Sequence, residues 1–299
     1  MNASLLITVV TPSYNQGRFI KDTIESVLSQ DYSPIEYMVM DGGSSDETIS
    51  VLNNYRDRFY WVSEKDKGQS NAINKGWGRA KGDILAYINS DDIYLPKAIS
   101  KAAAYMVKHP EVAAVYGEGY HIREDGTVIE RYPTEPYNRE RLTETCFICQ
   151  PTVFIRRSVL EEIGLLDESL SYCMDYDLWL RIAERYPLSY LPEYLACTRF
   201  YSETKTLGKR IEVHREILKV VRRHNGIVPP RWIYAYGHAF CERYVNREKP
   251  LGNLLFIMML INISLIKFIE YNHYVPVSEW KRMKEWVKHH FWKHVFKKD

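Results

Sequence analysis

The sequence predicts an α/β fold: a doubly wound, mostly parallel sheet with helices on both faces, followed by a helical carboxyl-terminal extension. Two observations support this fold class. Within the first hundred residues, four short apolar runs alternate with helical patterns, the order typical of parallel strands joined by helices. After about residue 202, helical patterns dominate. We therefore predict an α/β domain over residues 1–205 and a helical region over residues 206–299.

Residues 5–10 are rich in β-branched side chains and stop at a polar loop, which predicts a buried strand. From residue 19, apolar side chains recur at gaps of three and four, which predicts an amphipathic helix. The alternation continues with strands at 35–40, 59–63 and 84–88 and with helices near 48–52, 71–77 and 96–108. Because the strands of such a sheet end at one edge, their loops are expected to line a single crevice.

Beyond residue 108 the predicted elements are more mixed. Strands are expected at 112–116, 150–155 and 188–198, a hairpin at 120–131, and helices at 158–163 and after 171–177. Helical patterns then run to His224, break at Pro229-Pro230 and resume.

Composition limits the functional classes. The chain has 299 residues, 45% of them hydrophobic and 26% charged, which is typical of a globular protein. A net charge of +2 gives no strong field toward nucleic acid, so we expect no nucleic-acid partner. Five cysteines argue against a secreted disulfide framework and favour a reducing, cytoplasmic compartment. Cys146 and Cys149 have metal-ligand spacing without a second pair, which favours buried structural cysteines.

Two adjacent carboxylates follow the fourth predicted strand, in the segment Asn89-Ser90-Asp91-Asp92. Carboxylate oxygens at the carboxyl end of a strand suit a hard divalent cation that also binds a diphosphate. We predict Asp92 as a metal ligand, and Asp91 as a ligand through water or as a contact to a ribose. The alternative is that the pair only caps the next helix.

Two other strand ends carry groups that suit a nucleotide. Asp41 follows the second strand and is expected to accept hydrogen bonds from a base or a sugar hydroxyl. Tyr14, close behind Pro12 in the first loop, is placed to stack on the base. The alternatives are an Asx turn at Asp41 and core packing of Tyr14.

Four segments together resemble the family-two glycosyltransferases of the GT-A fold. They are Thr8-Val-Val-Thr-Pro-Ser-Tyr-Asn15, Met40-Asp-Gly-Gly-Ser-Ser-Asp46, Asn74-Lys-Gly76 with Gly82-Asp83, and Asn89-Ser-Asp-Asp92. The likeness covers about residues 5–200. It implies a nucleotide-sugar donor, with Pro12, Tyr14 and Asp41 at the base, Asp91 at the ribose and Asp92 on Mg²⁺ or Mn²⁺.

The resemblance also implies inversion at the anomeric carbon by direct displacement, with one carboxylate as general base. The matching position is Asp175, although Met174 replaces the family's usual first acid. Asp177 is the alternative base, and capping of a helix is the alternative role for both residues.

The segment 197–206 departs from the family pattern because Tyr201 stands where relatives often carry a metal-binding histidine. Residues 202–206 are expected to form a loop that closes over the diphosphate, with Arg199 or Lys205 in contact with it. Lys67 and Asn71 are expected near the base or phosphates, and Gln150 in the sugar or acceptor pocket.

These residues favour an inverting glycosyltransferase that moves a sugar from a nucleoside-diphosphate sugar to a hydroxyl acceptor in polysaccharide, glycolipid or glycoprotein glycan synthesis. One alternative is a sugar-phosphate nucleotidyltransferase, but the first loop lacks the glycine-rich, basic character that a triphosphate needs. The other alternative is a non-catalytic GT-A-like binding protein.

The carboxyl-terminal region suggests a membrane partner. Residues 251–266 form the most apolar run of the chain, which is short for a span of about 20 residues. Residues 281–298 carry seven lysines and arginines among aromatic residues. This pattern is consistent with peripheral contact of residues 251–299 with an anionic membrane at the inner face of the cytoplasmic membrane, and with a lipid-linked glycan acceptor. The alternative is a helical subdomain with a solvated basic face.

Overall fold

A computed structural model describes residues 4–201, 208–249 and 251–295, with side chains to residue 289. Lys205 therefore lies outside the described residues. The chain divides into two compact units, Met1–Leu142 with Cys146–Thr204 and Thr143–Thr145 with Lys205–Asp299.

The first unit is built on one mixed sheet in the order β3-β2-β1-β4-β8-β6-β9-β5, with β7 paired to β6. The strands are β1 (Ile7–Ser13), β2 (Ile35–Asp41), β3 (Tyr60–Ser63), β4 (Ile84–Tyr87), β5 (Ile93–Tyr94), β6 (Ala114–Ile122), β7 (Val128–Arg131), β8 (Phe154–Arg156) and β9 (Leu188–Arg199). The helices of this part of the chain are α1 (Gly17–Leu28), α2 (Thr48–Asn53), α3 (Gln69–Trp77), α4 (Ala98–Lys108), α5 (Arg139–Glu144), α6 (Arg157–Ile163) and α7 (Met174–Arg185).

The predicted alternation of strands and helices produces the parallel half of this sheet. β1 pairs in parallel with β2 and β4, and β2 with β3. The other half of the sheet is mixed: β6 pairs in parallel with β9, whereas β8 is antiparallel to both β4 and β6 and β5 is antiparallel to β9. β8 enters the sheet after β7, α5 and a 3-10 turn, outside the strand–helix–strand alternation that makes the first half parallel.

The register of the parallel half brings the strand ends into line. Ser13 lies opposite Asp41, and Asp41 lies opposite Ser63. The apolar side chains of α1 that recur at helical spacing, among them Ile20 and Ile24, pack in the core against β1 and β4. The core thus fixes the strands, and the polar residues that follow them meet at one edge.

Two predicted elements differ in detail. The expected strand at 150–155 is a 3-10 turn over Gln150–Thr152 followed by the short strand β8. The two-residue strand β5, directly after the acid pair, had not been expected. Its pairing with β9 is a long-range contact that local patterning does not encode.

The second unit contains four helices in its described residues. They are α8 (Arg210–Asn225), α9 (Pro230–Tyr244), α10 (Gly252–Asn272) and α11 (Val277–Val295). Cys241 of α9 and Val245, directly after this helix, pack against Phe256, Ile257 and Leu260 of α10. Among the described helices, α10 alone is long and apolar enough to cross a membrane by length and composition, with a mean hydropathy of 1.9 and a third of its most apolar window buried.

Candidate active site

The acid pair lies in a tight turn between β4 and β5. The amide of Asp92 donates to the carbonyl of Asn89 over 3.1 Å. The buried carboxylate of Asp92 accepts hydrogen bonds from the Arg199 amide and from Asn89 Nδ2, both at 3.0 Å. Asp91 Oδ2 accepts a hydrogen bond of 2.8 Å from the hydroxyl of Tyr201. Both carboxylates are therefore held in place by neighbouring donors.

The electrostatics of this turn suit a cation. Burial raises the pKa of Asp91, and burial together with the charge of Asp91 raises the pKa of Asp92 well above its ordinary range. Neighbouring carboxylates out of water repel each other, and a divalent ion would relieve that repulsion. Across the described residues, no group of three or more His, Cys, Asp and Glu side chains gathers. The two carboxylates thus fit Mg²⁺ or Mn²⁺ that brings its other ligands as phosphate oxygens and water.

Arg199 supports this turn from the protein interior. Its side chain is 2% exposed. Nε donates 2.8 Å to the carbonyl of Asp91, Nη1 donates to the carbonyl of Glu124, and Nη2 lies 3.1 Å from Asp22. The end of β9 aims the amide of Arg199 at Asp92 and its Nε at the carbonyl of Asp91. Contact of this guanidinium with a diphosphate stays a prediction. Arg199 is a positioning residue in this structure.

A cation that the sequence reading missed lies beside Asp91. The Arg18 side chain is 46% exposed. Its guanidinium lies 4.4 Å from the ring centroid of Phe19 and 4.8 Å from that of Tyr201. Its positive charge lowers the pKa of Asp91, against the larger effect of burial. The sequence feature that could have identified Arg18 is its position in the first turn of α1, shortly after the first of the four segments.

The predicted nucleotide side is an ordered loop. The buried Asp41 carboxylate accepts hydrogen bonds from the amides of Gly43 and Ser44 and from the hydroxyls of Ser44 and Ser63. Asp41 therefore shapes the loop, as the Asx-turn alternative described. Tyr14 is 63% exposed beside it, whereas Pro12 is buried in β1.

A shallow cleft, without room for a base as its side chains stand, lies at the ends of β2 and β3 next to this loop. It is lined by Met40, Asp41, Val62, Glu64, Asp66, Ala72 and Lys75. Three of these side chains are apolar and four are charged, a more polar lining than most ligand pockets have.

Gln150 reaches the acid-pair turn, and its place in the sugar or acceptor pocket stays a prediction. Its Nε2 donates to the carbonyl of Tyr87 over 2.9 Å, and its Oε1 accepts from Asn89 Nδ2 at 3.3 Å. Gln69 donates to the other side of Asn89 at 2.6 Å. Asn89, which sequence reasoning assigned no role, thus joins α3, the 3-10 turn and Asp92.

Lys67 and Asn71 lie at the start of α3. Lys67 is exposed and its amide donates 3.2 Å to the side chain of Asn71. Asn71 Nδ2 in turn donates 2.9 Å to Glu168, and this hydrogen bond links α3 to the loop that contains Glu168.

The two acids proposed as general base have different surroundings. Asp177 is fully buried, and its Oδ2 lies 2.9 Å from Nε of Arg181. Arg181 also donates to the carbonyls of Ile163, Gly164 and Leu165. This pair ties α7 to the preceding loop, which is a structural role. Asp175 is half-buried in the first turn of α7.

Asp175 and Asp92 both act electrostatically on the same two tyrosines. Burial raises the pKa of Tyr87 well above its ordinary range, and the charges of Asp175 and Asp92 raise it further. The same two charges act on Tyr132, whose pKa is also raised, chiefly by burial. Asp175 and Asp92 are about ninety residues apart in sequence, yet both lie within electrostatic reach of the same two phenols.

Several glycosyltransferases are similar to the chain. An uncharacterized glycosyltransferase of Rickettsia prowazekii is 27% identical over 224 residues, which cover 72% of this chain and 70% of that protein. The chondroitin synthase of Escherichia coli is 27% identical over 215 residues, 71% of this chain but 31% of the synthase.

Solved structures share the fold. TarS of Staphylococcus aureus in complex with UDP-GlcNAc superposes with a TM-score of 0.61 at 18% identity, covering 94% of this chain and 83% of that one. The mannosyltransferase PcManGT of Pyrobaculum calidifontis, in complex with GDP-Man and Mn²⁺, gives 0.59 at 17% identity, covering 100% and 89%. The predicted α/β fold of GT-A type is confirmed.

The family itself follows from the sequence model of glycosyl transferase family 2, which matches residues 8–164. That match covers more than half of the chain and contains β1 to β4 with the acid pair. The resemblance carried by the four segments is confirmed, and with it the class of reaction, sugar transfer from a nucleotide-sugar donor. The chain belongs to glycosyl transferase family 2.

Proposed function

We propose that the protein is a metal-dependent, inverting glycosyltransferase of the hexosyltransferase type, with Asp175 as its general base and Mg²⁺ or Mn²⁺ held by Asp91 and Asp92. The observation that supports this most is that the charges of Asp175 and Asp92 both reach Tyr87 and Tyr132, although the two acids are about ninety residues apart in sequence. A base on one side of a crevice and a diphosphate site on the other is the arrangement that a single displacement needs.

In the proposed mechanism the donor base lies at the cleft beside Asp41, where exposed Tyr14 covers it. The acceptor hydroxyl attacks the anomeric carbon while the bond from that carbon to the diphosphate oxygen breaks. Asp175 takes the hydroxyl proton, and the nucleoside diphosphate leaves with the bonding electron pair. When bound, the cation supplies charge neutralisation for the leaving diphosphate.

Other residues have supporting roles in this proposal. Arg18 faces the diphosphate side of Asp91, and Lys205 remains a predicted contact outside the described residues. Asn89, Gln150 and Arg199 hold the acid-pair turn, so the two carboxylates need little reorganisation when the ion arrives. The roles of Lys67 and Asn71 near the nucleotide remain predictions.

We propose a glycan acceptor, in polysaccharide, glycolipid or glycoprotein glycan synthesis. TarS in complex with UDP-GlcNAc, PcManGT in complex with GDP-Man, and the relatives named chondroitin and hyaluronan synthase support this class of chemistry. A lipid-linked glycan, reached from the cytoplasmic side of the membrane, is the form of acceptor that we propose.

The test is release of nucleoside diphosphate from a panel of UDP and GDP sugars with Mn²⁺ or Mg²⁺. Diphosphate release supports transfer, pyrophosphate release from a nucleoside triphosphate would favour a nucleotidyltransferase, and neither would favour a binding protein. Calorimetry of donor binding tests the metal site: Asp92→Ala should abolish metal-dependent binding, while the exposed Asp57→Ala should not. Metal-dependent binding retained by Asp92→Ala would contradict the metal assignment.

A further inference from the structure

An apolar stripe runs along the exposed side of α10. It comprises Leu251, just before the helix, and Leu255, Met258, Asn262, Ile266 and Ile269. Its five apolar side chains are each between 52% and 64% exposed. At about 100° per residue these positions fall within roughly 80° of the helix circumference, over a length of roughly 27 Å. The stripe is therefore a single continuous surface, of a kind that soluble proteins rarely leave uncovered.

The opposite side of α10 is packed inside the second unit. Phe256, Leu260 and Phe268 are buried there. Asn272 at the end of α10 exchanges two hydrogen bonds, of 2.7 and 2.8 Å, with the backbone of Val228. A helix that crossed a bilayer alone would expose this packed side to lipid. The apolar stripe is thus suited to lie on a membrane, not to cross it.

The stripe offers little to a protein partner. Its one polar side chain, Asn262, donates its amide hydrogen to the carbonyl of Met258 in the same helix, over 2.8 Å. Interfaces between proteins carry about one hydrogen bond per 100–200 Å². A surface whose polar group is already satisfied within its own helix matches hydrocarbon better than another protein.

The second unit also carries exposed positive charge, on α11. Residues 281–298 carry seven lysines and arginines against one acidic residue, Glu285. On α11, Lys281 and Lys284 are exposed together with Trp280. Basic side chains beside an aromatic residue are attracted to the surface of an anionic bilayer.

We propose that the apolar stripe of α10 lies in the headgroup region of an anionic membrane, with the exposed basic side chains of α11 on the lipid phosphates. In this arrangement one face of α10 contacts the membrane, and the helix lies at the membrane surface and does not cross the bilayer. It does not depend on catalysis, so its failure leaves the proposed enzymatic function standing.

The test is flotation of the full-length protein with phosphatidylcholine vesicles that contain phosphatidylglycerol. The variant Leu255→Glu/Ile266→Glu charges the stripe, and Val128→Glu/Ile129→Glu places the same two charges on exposed apolar residues of β7. We expect the wild type and the β7 variant to float, and the stripe variant to lose more than roughly tenfold in partitioning. Circular dichroism shows whether both variants are folded. Vesicles of phosphatidylcholine alone should bind the wild type less, and alkaline carbonate should release it.

Flotation of the stripe variant equal to that of the wild type would overturn the proposal, as would a wild type that does not float. Resistance to alkaline carbonate would indicate a span instead. A wild type that is dimeric, ignores vesicles and becomes monomeric in the stripe variant would assign the stripe to a second copy of the chain.

Discussion

Replacing each acid of α7 by its isosteric amide should separate catalysis from stability. In Asp177→Asn the fully buried carboxylate that pairs with Arg181 becomes neutral. Hydrogen bonds to charged groups contribute about 1.5–3 kcal/mol, and Arg181 keeps its three backbone carbonyl acceptors. We expect a loss of about 2–3 kcal/mol in the free energy of unfolding, which lowers Tm by roughly 4–12 °C for a unit of this size.

Asp175→Asn should behave in the opposite way. Its Oδ1 accepts a 2.8 Å hydrogen bond from the amide of Tyr176, and an asparagine oxygen accepts the same bond. The free energy of unfolding should therefore change by less than about 1 kcal/mol. Loss of the base should lower turnover by about 10²- to 10⁴-fold, with donor affinity nearly unchanged because the acid pair is intact.

The assay is nucleoside diphosphate release together with urea unfolding and calorimetry of donor binding, on both variants and the wild type. Wild-type turnover in Asp175→Asn would refute the assignment of the base. If Asp177→Asn kept its stability and lost turnover, the two roles would have to be exchanged.

Three further predictions follow from packing and burial. Arg199→Ala leaves two backbone carbonyls without their hydrogen-bond donor and should cost about 2–5 kcal/mol of unfolding free energy. Arg18→Ala, at an exposed ion pair, should cost less than about 1 kcal/mol. An Arg199→Ala variant that is stable but does not bind the nucleotide sugar would instead indicate that Arg199 contacts the diphosphate. Gly76→Ala would bring a Cβ within 2.6 Å of a valine methyl of β1 and should lower the free energy of unfolding in urea by about 1–3 kcal/mol. The control Gly78→Ala should lower it less, because the nearest atom there is a carbonyl oxygen at 3.2 Å. Equal losses of stability would contradict tight packing of α3 on β1. Burial lowers the pKa of His238 below its ordinary 6.5, so below that pH the unfolded chain binds the extra proton and stability should fall with acidification. His238→Gln should reduce this pH dependence in unfolding curves, and an unchanged slope would exclude His238 as its source.

Much of the catalytic unit could be read from local patterns. Apolar runs followed by polar loops predicted β1, β2 and β4, because burial on both faces of a parallel sheet requires such runs. The edge strand β3 was predicted from its residue types although it is only partly buried. The acid pair at residues 91–92 was found in the same way, since the ends of parallel strands converge. The four segments were sufficient to identify the family, and the family model that matches residues 8–164 confirms it.

The packing of the carboxyl-terminal region was harder to predict from sequence. The sequence marked residues 251–266 as apolar, but helix α10 extends to Asn272. Which of its sides packs and which stays exposed follows from α9 and α11. Because α10 is apolar nearly all round, periodicity alone could not separate the two sides.

Sequence by itself determined the fold class, the family and the acids that serve as candidates, because these depend on residue type and spacing along the chain. Only the tertiary structure decided how similar residues divide their roles. Asp175 is half-buried while Asp177 is buried and paired with Arg181, and Arg18 is partly exposed beside Tyr201 while Arg199 is buried against the acid-pair turn. Burial and hydrogen-bond partners come from strands and helices distant in sequence, so no local pattern could assign them.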